Sequence, residues 1–222
     1  MAAVVEQATS GTVNGTVLTL TFGGAITSGN SVIVCASIVP ANSITSVQTG
    51  NGTSLSAVQE NTETNGAYKQ SLYAAHNVTD GSTTVVITYN ASSNYVAEAL
   101  EASGIDTTPT ATYDSSAASS TTHSLTTADG GTDALHVGRL SPNSGATAST
   151  GDAGSTTVEQ AGTTFPGNFG AMGYRVASGA SSINIDLSAA RSIDWIGAVY
   201  PAAGGGSILP QIMHHRKIIG VS

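Results

Sequence analysis

The sequence predicts an all-β protein built as an antiparallel β-sandwich, and three observations support this. Apolar and polar residues alternate at the two-residue period of a strand, as in Thr83–Tyr89, where Val85, Ile87 and Tyr89 share one side. Clusters of Gly, Asn, Asp and Ser interrupt such segments at short intervals, as turns between strands require. The chain shows no convincing helical spacing with capping residues, so we expect almost no helix.

The first half of the chain contains a series of predicted strands that ends in an antiparallel meander. Five segments precede the meander: Val4–Glu6, Thr16–Phe22, Ser31–Val39, Ile44–Gln48 and Leu55–Glu60. The last two flank Thr49–Gly52, whose Asn-Gly pair supplies the positive φ angles of a tight hairpin. The meander, Ser71–Gly104, holds three strands separated by turns at Thr79–Ser82 and Asn90–Asn94, and one of its faces is apolar.

A connector rich in Thr, Ser and Ala, Ile105–Ser120, follows the meander and is too poor in large apolar groups for a core strand. Such a segment can still run extended over the surface of the sandwich. Strands resume after it and are interrupted by a Gly/Ser/Asn loop at Ser141–Gly154. The strands predicted in this part are Thr122–Thr127, Ala134–Leu140, Thr156–Gln160, Gly170–Ala177, Ser182–Leu187 and Ile193–Tyr200.

The second half of the sequence resembles the first when it is shifted by 98 residues. This shift places Val85 on Ile183 and Ile87 on Ile185, and it places Tyr95–Leu100 on Ile193–Ala198. Two quasi-repeated halves, 1–104 and 121–203, suit a jelly roll, in which paired sheets arise from a folded double ribbon. Any two meanders with glycine turns could also align this well, so duplication and coincidence both stay open.

Composition and charge exclude several functional classes. Only 9% of the residues are charged, and the net charge of −8 argues against a body that binds nucleic acid. Cys35 is the only cysteine and lies in an apolar run, so we predict a small core residue and no intrachain disulfide. We see no secretion signal and no run long enough for a membrane helix, so we expect assembly in a cytoplasm without a membrane partner.

No arrangement of residues points to catalysis, and the prediction is that the protein is not an enzyme. Glu98 and Glu101 are three residues apart on a strand and therefore face opposite sides, which argues against the paired carboxylates of a glycosidase. We expect Glu101 to bond to nearby backbone or hydroxyl groups. The histidines His76, His123 and His136 are dispersed and are expected to cap strands or loops. The nucleophile motif Gly-x-Ser-x-Gly does not occur.

The sequence also predicts no bound metal and no cofactor. His214 and His215 are adjacent rather than four residues apart, and no carboxylate follows them. The Asp-Gly turn Asp129–Asp133 could touch a calcium ion, but a turn without a metal is the simpler interpretation. A glycine loop of the phosphate-binding type is missing.

The C-terminal segment 204–222 is the most suggestive feature of the chain. A glycine hinge within Ala202–Ser207 precedes a peptide that is both apolar and basic. Exposed apolar residues of this kind invite aggregation, so we predict an extended docking arm rather than a frayed tail. The body through residue 203 carries a net charge of −10 and the arm +2. The predicted docking residues are Ile208, Leu209, Ile212, Met213, His214, His215, Arg216, Lys217, Ile218 and Ile219.

The order of segments over about residues 15–203 resembles that of jelly-roll phage virion proteins, a family of capsid decoration or cement proteins, head fibres and tail-associated modules. The matching segments are ITSVQTGNG at Ile44–Gly52, the meander over Ser71–Ser92, VAEALEASGID at Val96–Asp106, SLTTADGGTDALHVG at Ser124–Gly138 and DWIGAVYPA at Asp194–Ala202. The long glycine-rich collar of many fibres is missing, which favours a compact decoration protein over a fibre.

This resemblance implies a virion structural protein on the outer surface of an icosahedral phage head. Its expected partners are the major capsid protein and further copies of itself in a homotrimer, assembled in the host cytoplasm. The alternative is a tail-associated module that binds carbohydrate or a receptor through exposed aromatic residues. The aromatic candidates are Tyr68, Tyr73, Tyr95, Tyr113, Phe169 and Trp195.

Overall fold

A computed structural model describes residues 1–60, 69–142, 148–150, 157–161 and 170–204 of the chain. These residues form twelve strands and contain no helix, which confirms the prediction of an all-β fold. Within the same ranges no helix is long and apolar enough to cross a membrane. The strands are β1 Val4–Thr21, β2 Asn30–Ile38, β3 Ile44–Thr49, β4 Ser56–Glu60, β5 Lys69–Val78, β6 Thr84–Ser103, β7 Ala111–Thr127, β8 Ala134–Pro142, β9 Ala148–Thr150, β10 Thr157–Ala161, β11 Gly170–Ala177 and β12 Ser181–Tyr200.

Two antiparallel sheets pack against each other as a β-sandwich. The first sheet has the order β1-β6-β2-β5-β4, with β3 paired to the remaining part of β6. The second has the order β7-β12-β8-β11-β10, with β9 paired to β12. The strand order of β1–β6, here the first half, therefore repeats in β7–β12, the second half. The sequence of buried and exposed positions along Thr84–Ser103 also recurs along residues 182–201.

The described core consists of three apolar clusters in layers. The first lies inside the first half and draws on both ends of β6, including Ile87 and Tyr95. The second lies between the two sheets, where Leu100 and Ile196 belong to one cluster. The third surrounds Trp195 inside the second half. Each half thus buries its own core, and the sheets share the middle layer.

The strands are longer than the sequence predicts. Three pairs of predicted strands are each one continuous strand: Val4–Glu6 with Thr16–Phe22 in β1, Thr83–Tyr89 with Tyr95–Leu100 in β6, and Ser182–Leu187 with Ile193–Tyr200 in β12. The predicted turn Asn90–Asn94 is therefore wrong. There β6 remains paired with β1 through Asn94 and Asn14, and the register shifts between Gly15 and Val17. Such a bulge lets a ribbon bend while its ladder continues, so pairing overrides the local turn preference.

The predicted connector Ile105–Ser120 is also wrong in part, because β7 begins inside it at Ala111. β7 is an edge strand whose ladder runs along β12 only, so it needs few large apolar side chains. The strand order that repeats accordingly begins again with β7 at Ala111. The predicted loop Ser141–Gly154 contains the end of β8 and the short strand β9.

Candidate functional site

A buried polar cluster crosses the interface between the two halves. The Nε atom of Arg139 on β8 donates to Oε2 of Glu98 on β6 at 2.6 Å, and both side chains are completely buried. Arg139 Nη1 donates to Oε1 of Gln70 on β5 at 2.8 Å. Gln70 Nε2 in turn donates to the backbone carbonyl of Asp194 on β12 at 2.8 Å. The cluster therefore connects four strands, β5, β6, β8 and β12, with charge-assisted or buried hydrogen bonds.

This cluster breaks the similarity between the two halves. Cys35 is the β2 residue paired with Glu98, and Arg139 is the β8 residue paired with Ile196. In the first half, Cys35 therefore occupies the position that Arg139 has in the second. In the second half, Ile196 occupies the position that Glu98 has in the first. Each charge therefore has no counterpart in the other half. Burial raises the pKa of the Cys35 thiol to about 12, so it is an unreactive core residue, as the sequence predicts.

Gly170 provides the space that the Arg139 guanidinium occupies. A Cβ atom at this position would lie 1.8 Å from Arg139 Nη2 and 2.8 Å from Glu98 Oε1. Any larger residue must displace the ion pair. The buried ion pair between Arg139 and Glu98 therefore requires a glycine at position 170.

We expect Gly170→Ala to lower the free energy of unfolding by about 1–3 kcal/mol, the usual effect of overpacking a core. Denaturant unfolding followed by circular dichroism measures this change. Gly24→Ala is the matched control, because a Cβ atom there meets nothing within 4 Å. Equal stability of the two variants would contradict the assigned role of Gly170.

Glu101 lies on the opposite side of β6 from Glu98, as the spacing predicts. Its carboxylate accepts from the backbone N–H of Thr27 at 2.8 Å and from the side-chain amides of Gln7 and Asn30. The expected backbone bond is present, whereas the two amide partners were not predicted. Glu101 is almost fully buried and fastens the β1–β2 loop to β1 and β6. The two carboxylates therefore belong to separate structural clusters.

The three predicted histidines lie in three separate local environments. His76 Nδ1 is 2.8 Å from Ser31 Oγ, His123 Nε2 donates to the carbonyl of Ser120 at 2.9 Å, and His136 Nδ1 is 2.8 Å from Thr127 Oγ1. Burial lowers the pKa of each imidazole, which favours the neutral form. In the described part of the chain these rings bind their own neighbours rather than a common centre.

Stability should fall when the pH drops below about 6.5, because burial holds the folded-state pKa of His136 below its ordinary value of 6.5. Below that pH the unfolded chain binds more protons than the folded one, so the full stability is present only above it. We expect His136→Gln to reduce the slope of unfolding free energy against pH by up to about 1.4 kcal/mol per pH unit. Urea unfolding between pH 5 and 7.5 tests this. An unchanged slope in the variant would contradict it.

The Asp129–Asp133 turn is supported by its own hydrogen bonds. Asp129 Oδ1 accepts from the backbone N–H of Gly131 at 2.7 Å, and the N–H of Asp133 donates to Ser178 Oγ at 3.0 Å. Among the residues with a described position, no three His, Cys, Asp or Glu side chains are grouped closely enough to hold a metal ion. The Asp129 carboxylate and the Ser178 hydroxyl thus hold the backbone of the turn in place.

Two of the six aromatic residues proposed to stack on a sugar are buried and not available for it. Tyr95 and Trp195 are buried in the cores of the two halves, and the Tyr95 ring stacks on Tyr89 with centroids 3.5 Å apart. Tyr73 and Tyr113 are half-buried. Tyr68 and Phe169 lie outside the described residues.

The end of the described chain is held at a fixed point on the body. Ala202 forms a bridge with Ile105, and the N–H of Ala203 donates to the carbonyl of Gly104 at 2.7 Å. The amino group of Met1 donates to the carbonyl of Ala203 at 3.0 Å. The ten predicted docking residues between Ile208 and Ile219 lie beyond Gly204, outside the described residues.

Comparisons with protein-family models, with curated proteins and with solved structures return no match for this chain. The resemblance to jelly-roll phage virion proteins therefore stays a prediction.

Proposed function

We propose that the protein is a virion structural protein, a capsid decoration or cement protein on the outer surface of an icosahedral phage head. The single observation that carries this proposal is the fixed departure point of the C-terminal segment. Bonds from Met1, Gly104 and Ile105 hold residues 202–203 against the body, so the chain beyond Gly204 starts from a defined place. A basic, apolar segment that follows a fixed point on an acidic body is suited to bind a partner.

The buried ionisable groups of the body support a structural role. Glu98, Arg139 and Glu101 are almost completely buried, and their partners include side chains or backbone groups on neighbouring strands and loops. Catalytic groups need access to a substrate and a shared geometry. Glu98 and Arg139 instead join the two halves of the sandwich, and Glu101 fastens the β1–β2 loop to the first half, as a scaffold requires.

The partner that fits the arm is the major capsid protein. Residues 205–222 can extend about 60 Å at most, which is long enough to cross onto a neighbouring capsid subunit. Apolar residues of the arm would bury surface, and Arg216 and Lys217 would pair with acidic groups of the partner. A homotrimer would present three arms together, and repeated weak contacts gain strength through multivalency.

Removing the arm should weaken attachment to the head. We expect a chain that ends after Gly204 to bind at least about tenfold more weakly than the full chain to heads of the encoding phage assembled without this protein. Co-sedimentation with such heads measures the binding. A chain that ends after Ile219 keeps all ten docking residues and serves as the matched control. Equal binding of the two shortened chains, with unchanged circular dichroism, would contradict the proposal.

A further inference from the structure

A cavity of about 470 Å³ opens on the first half, between strands β4 and β5 and the segment that joins the two halves. Its size falls within the range of about 300–1,000 Å³ that is usual for sites of small ligands. All the residues that line it lie in described parts of the chain. None of them takes part in the buried polar cluster or in the anchor of the C-terminal segment.

The lining of this cavity is uncharged and carries two kinds of surface. Four hydroxyl side chains contribute to it, those of Thr53, Ser54, Ser56 and Thr107. Hydroxyl groups both donate and accept hydrogen bonds, so they suit a ligand that also does both. The remaining wall is apolar and is formed by Ala57, Val58, Ala74, Ala75 and Pro109. An ionic ligand would find no opposite charge in this lining.

His76 is the one imidazole in the lining, and its ring is held in place. Ser31 Oγ lies 2.8 Å from Nδ1, and the Tyr200 ring lies with its centroid 5.7 Å from that of the imidazole. With Nδ1 engaged, Nε2 is the nitrogen left to bond a ligand, and no described residue hydrogen-bonds to it. Burial lowers the pKa of His76, although the nearby Asp106 acts in the opposite direction.

We propose that this cavity, the His76 cavity, binds a neutral saccharide of one or two sugar units. A sugar presents many hydroxyl groups that donate and accept, and its C–H face can lie on Ala74 and Val58, which belong to the same apolar face of the sheet. The exposed carboxylate of Asp106 near His76 disfavours acidic sugars and other anions. The site needs no stacking aromatic, since a shallow apolar wall and hydroxyls bind the two faces of the ligand. It is independent of capsid attachment through the arm.

The test is a titration of the isotope-labelled full chain with neutral disaccharides, observed by NMR. Maltose, cellobiose, lactose and N,N′-diacetylchitobiose are the probes, and glucuronic acid is the anionic comparison. We expect saturable shifts of the amides of Ala74, His76 and Thr107 with at least one neutral sugar, at a Kd of about 1 mM or lower. His76→Ala should weaken binding at least tenfold, and His123→Gln should leave it unchanged.

A second variant tests the cavity independently of His76→Ala, so the test does not depend on the folding of that one variant. Ser56 is an exposed residue of the lining and is paired with Ala74, so its side chain lies on the same face of the sheet as His76. Ser56→Trp should fill the cavity without altering the core and should also abolish the shifts. The proposal is overturned if no neutral probe produces saturable shifts at 50 mM, if the folded Ser56→Trp variant still binds, or if glucuronic acid binds as tightly. Loss of sugar binding with intact attachment to heads separates this inference from the proposed function.

Discussion

Replacing Arg139 with alanine should lower the free energy of unfolding by about 3–5 kcal/mol, because it leaves Glu98 buried without its cation. Both side chains are fully buried, and the same substitution also removes the bond to Gln70 at 2.8 Å. The Glu98 carboxylate would then either pay its desolvation penalty or take up a proton. Denaturant unfolding at pH 7, followed by circular dichroism, measures the loss.

A double variant that carries neither charge shows whether the loss arises from burying the Glu98 carboxylate without the Arg139 cation. Arg139→Met combined with Glu98→Gln removes both charges and keeps most of the volume, so it should recover at least half of the stability lost in Arg139→Ala. Buried ion pairs replaced by well-packed groups are often neutral in stability. A loss below about 1 kcal/mol in Arg139→Ala would indicate an ion pair of the exposed kind and contradict the assigned burial.

Ile87→Ala should lower the free energy of unfolding by about 2–5 kcal/mol, as for other large aliphatic residues in a closed core. Ile87 is fully buried in the cluster inside the first half. We expect the loss to appear equally in the fluorescence of Trp195, which lies in the cluster inside the second half. The reason is that the middle apolar layer and the buried polar cluster join the two halves into one cooperative unit.

Ile185→Ala is the matched control for this experiment, because Ile185 has the corresponding place in the second half and is also fully buried. Both variants should shift the fluorescence and circular dichroism transitions together. A fluorescence transition that responds to Ile185→Ala but not to Ile87→Ala would mean that the halves unfold separately.

The local periodicity of the sequence was sufficient to predict the strands, but not which pairs of predicted strands form one continuous strand. Val85, Ile87 and Tyr89 alternate as predicted, and all three are buried in one cluster. Asn and Ser residues of the kind found in turns lie in β6 near Asn94. β6 nevertheless stays paired with β1 on both sides of this stretch, with a shift in register. Pairing between distant segments decides such a case, and local residue preference does not contain that information.

The buried polar cluster was missed because its partners are far apart in sequence. The signal that could have revealed it is Arg139, a guanidinium in the predicted strand Ala134–Leu140, whose other residues are apolar or glycine except for His136. A buried arginine needs an acid, and the meander offers Glu98 and Glu101 on opposite sides. The choice of Glu98 depends on which side of β6 faces the second half, and only the packing of the two sheets determines this.

A reconstruction of the purified phage particle tests the central proposal most directly. We predict that the protein covers the outside of the head in copies that follow the capsid lattice, with residues 205–222 in contact with the major capsid protein. Density for the protein at the tail vertex alone, in only a few copies, would contradict a decoration role.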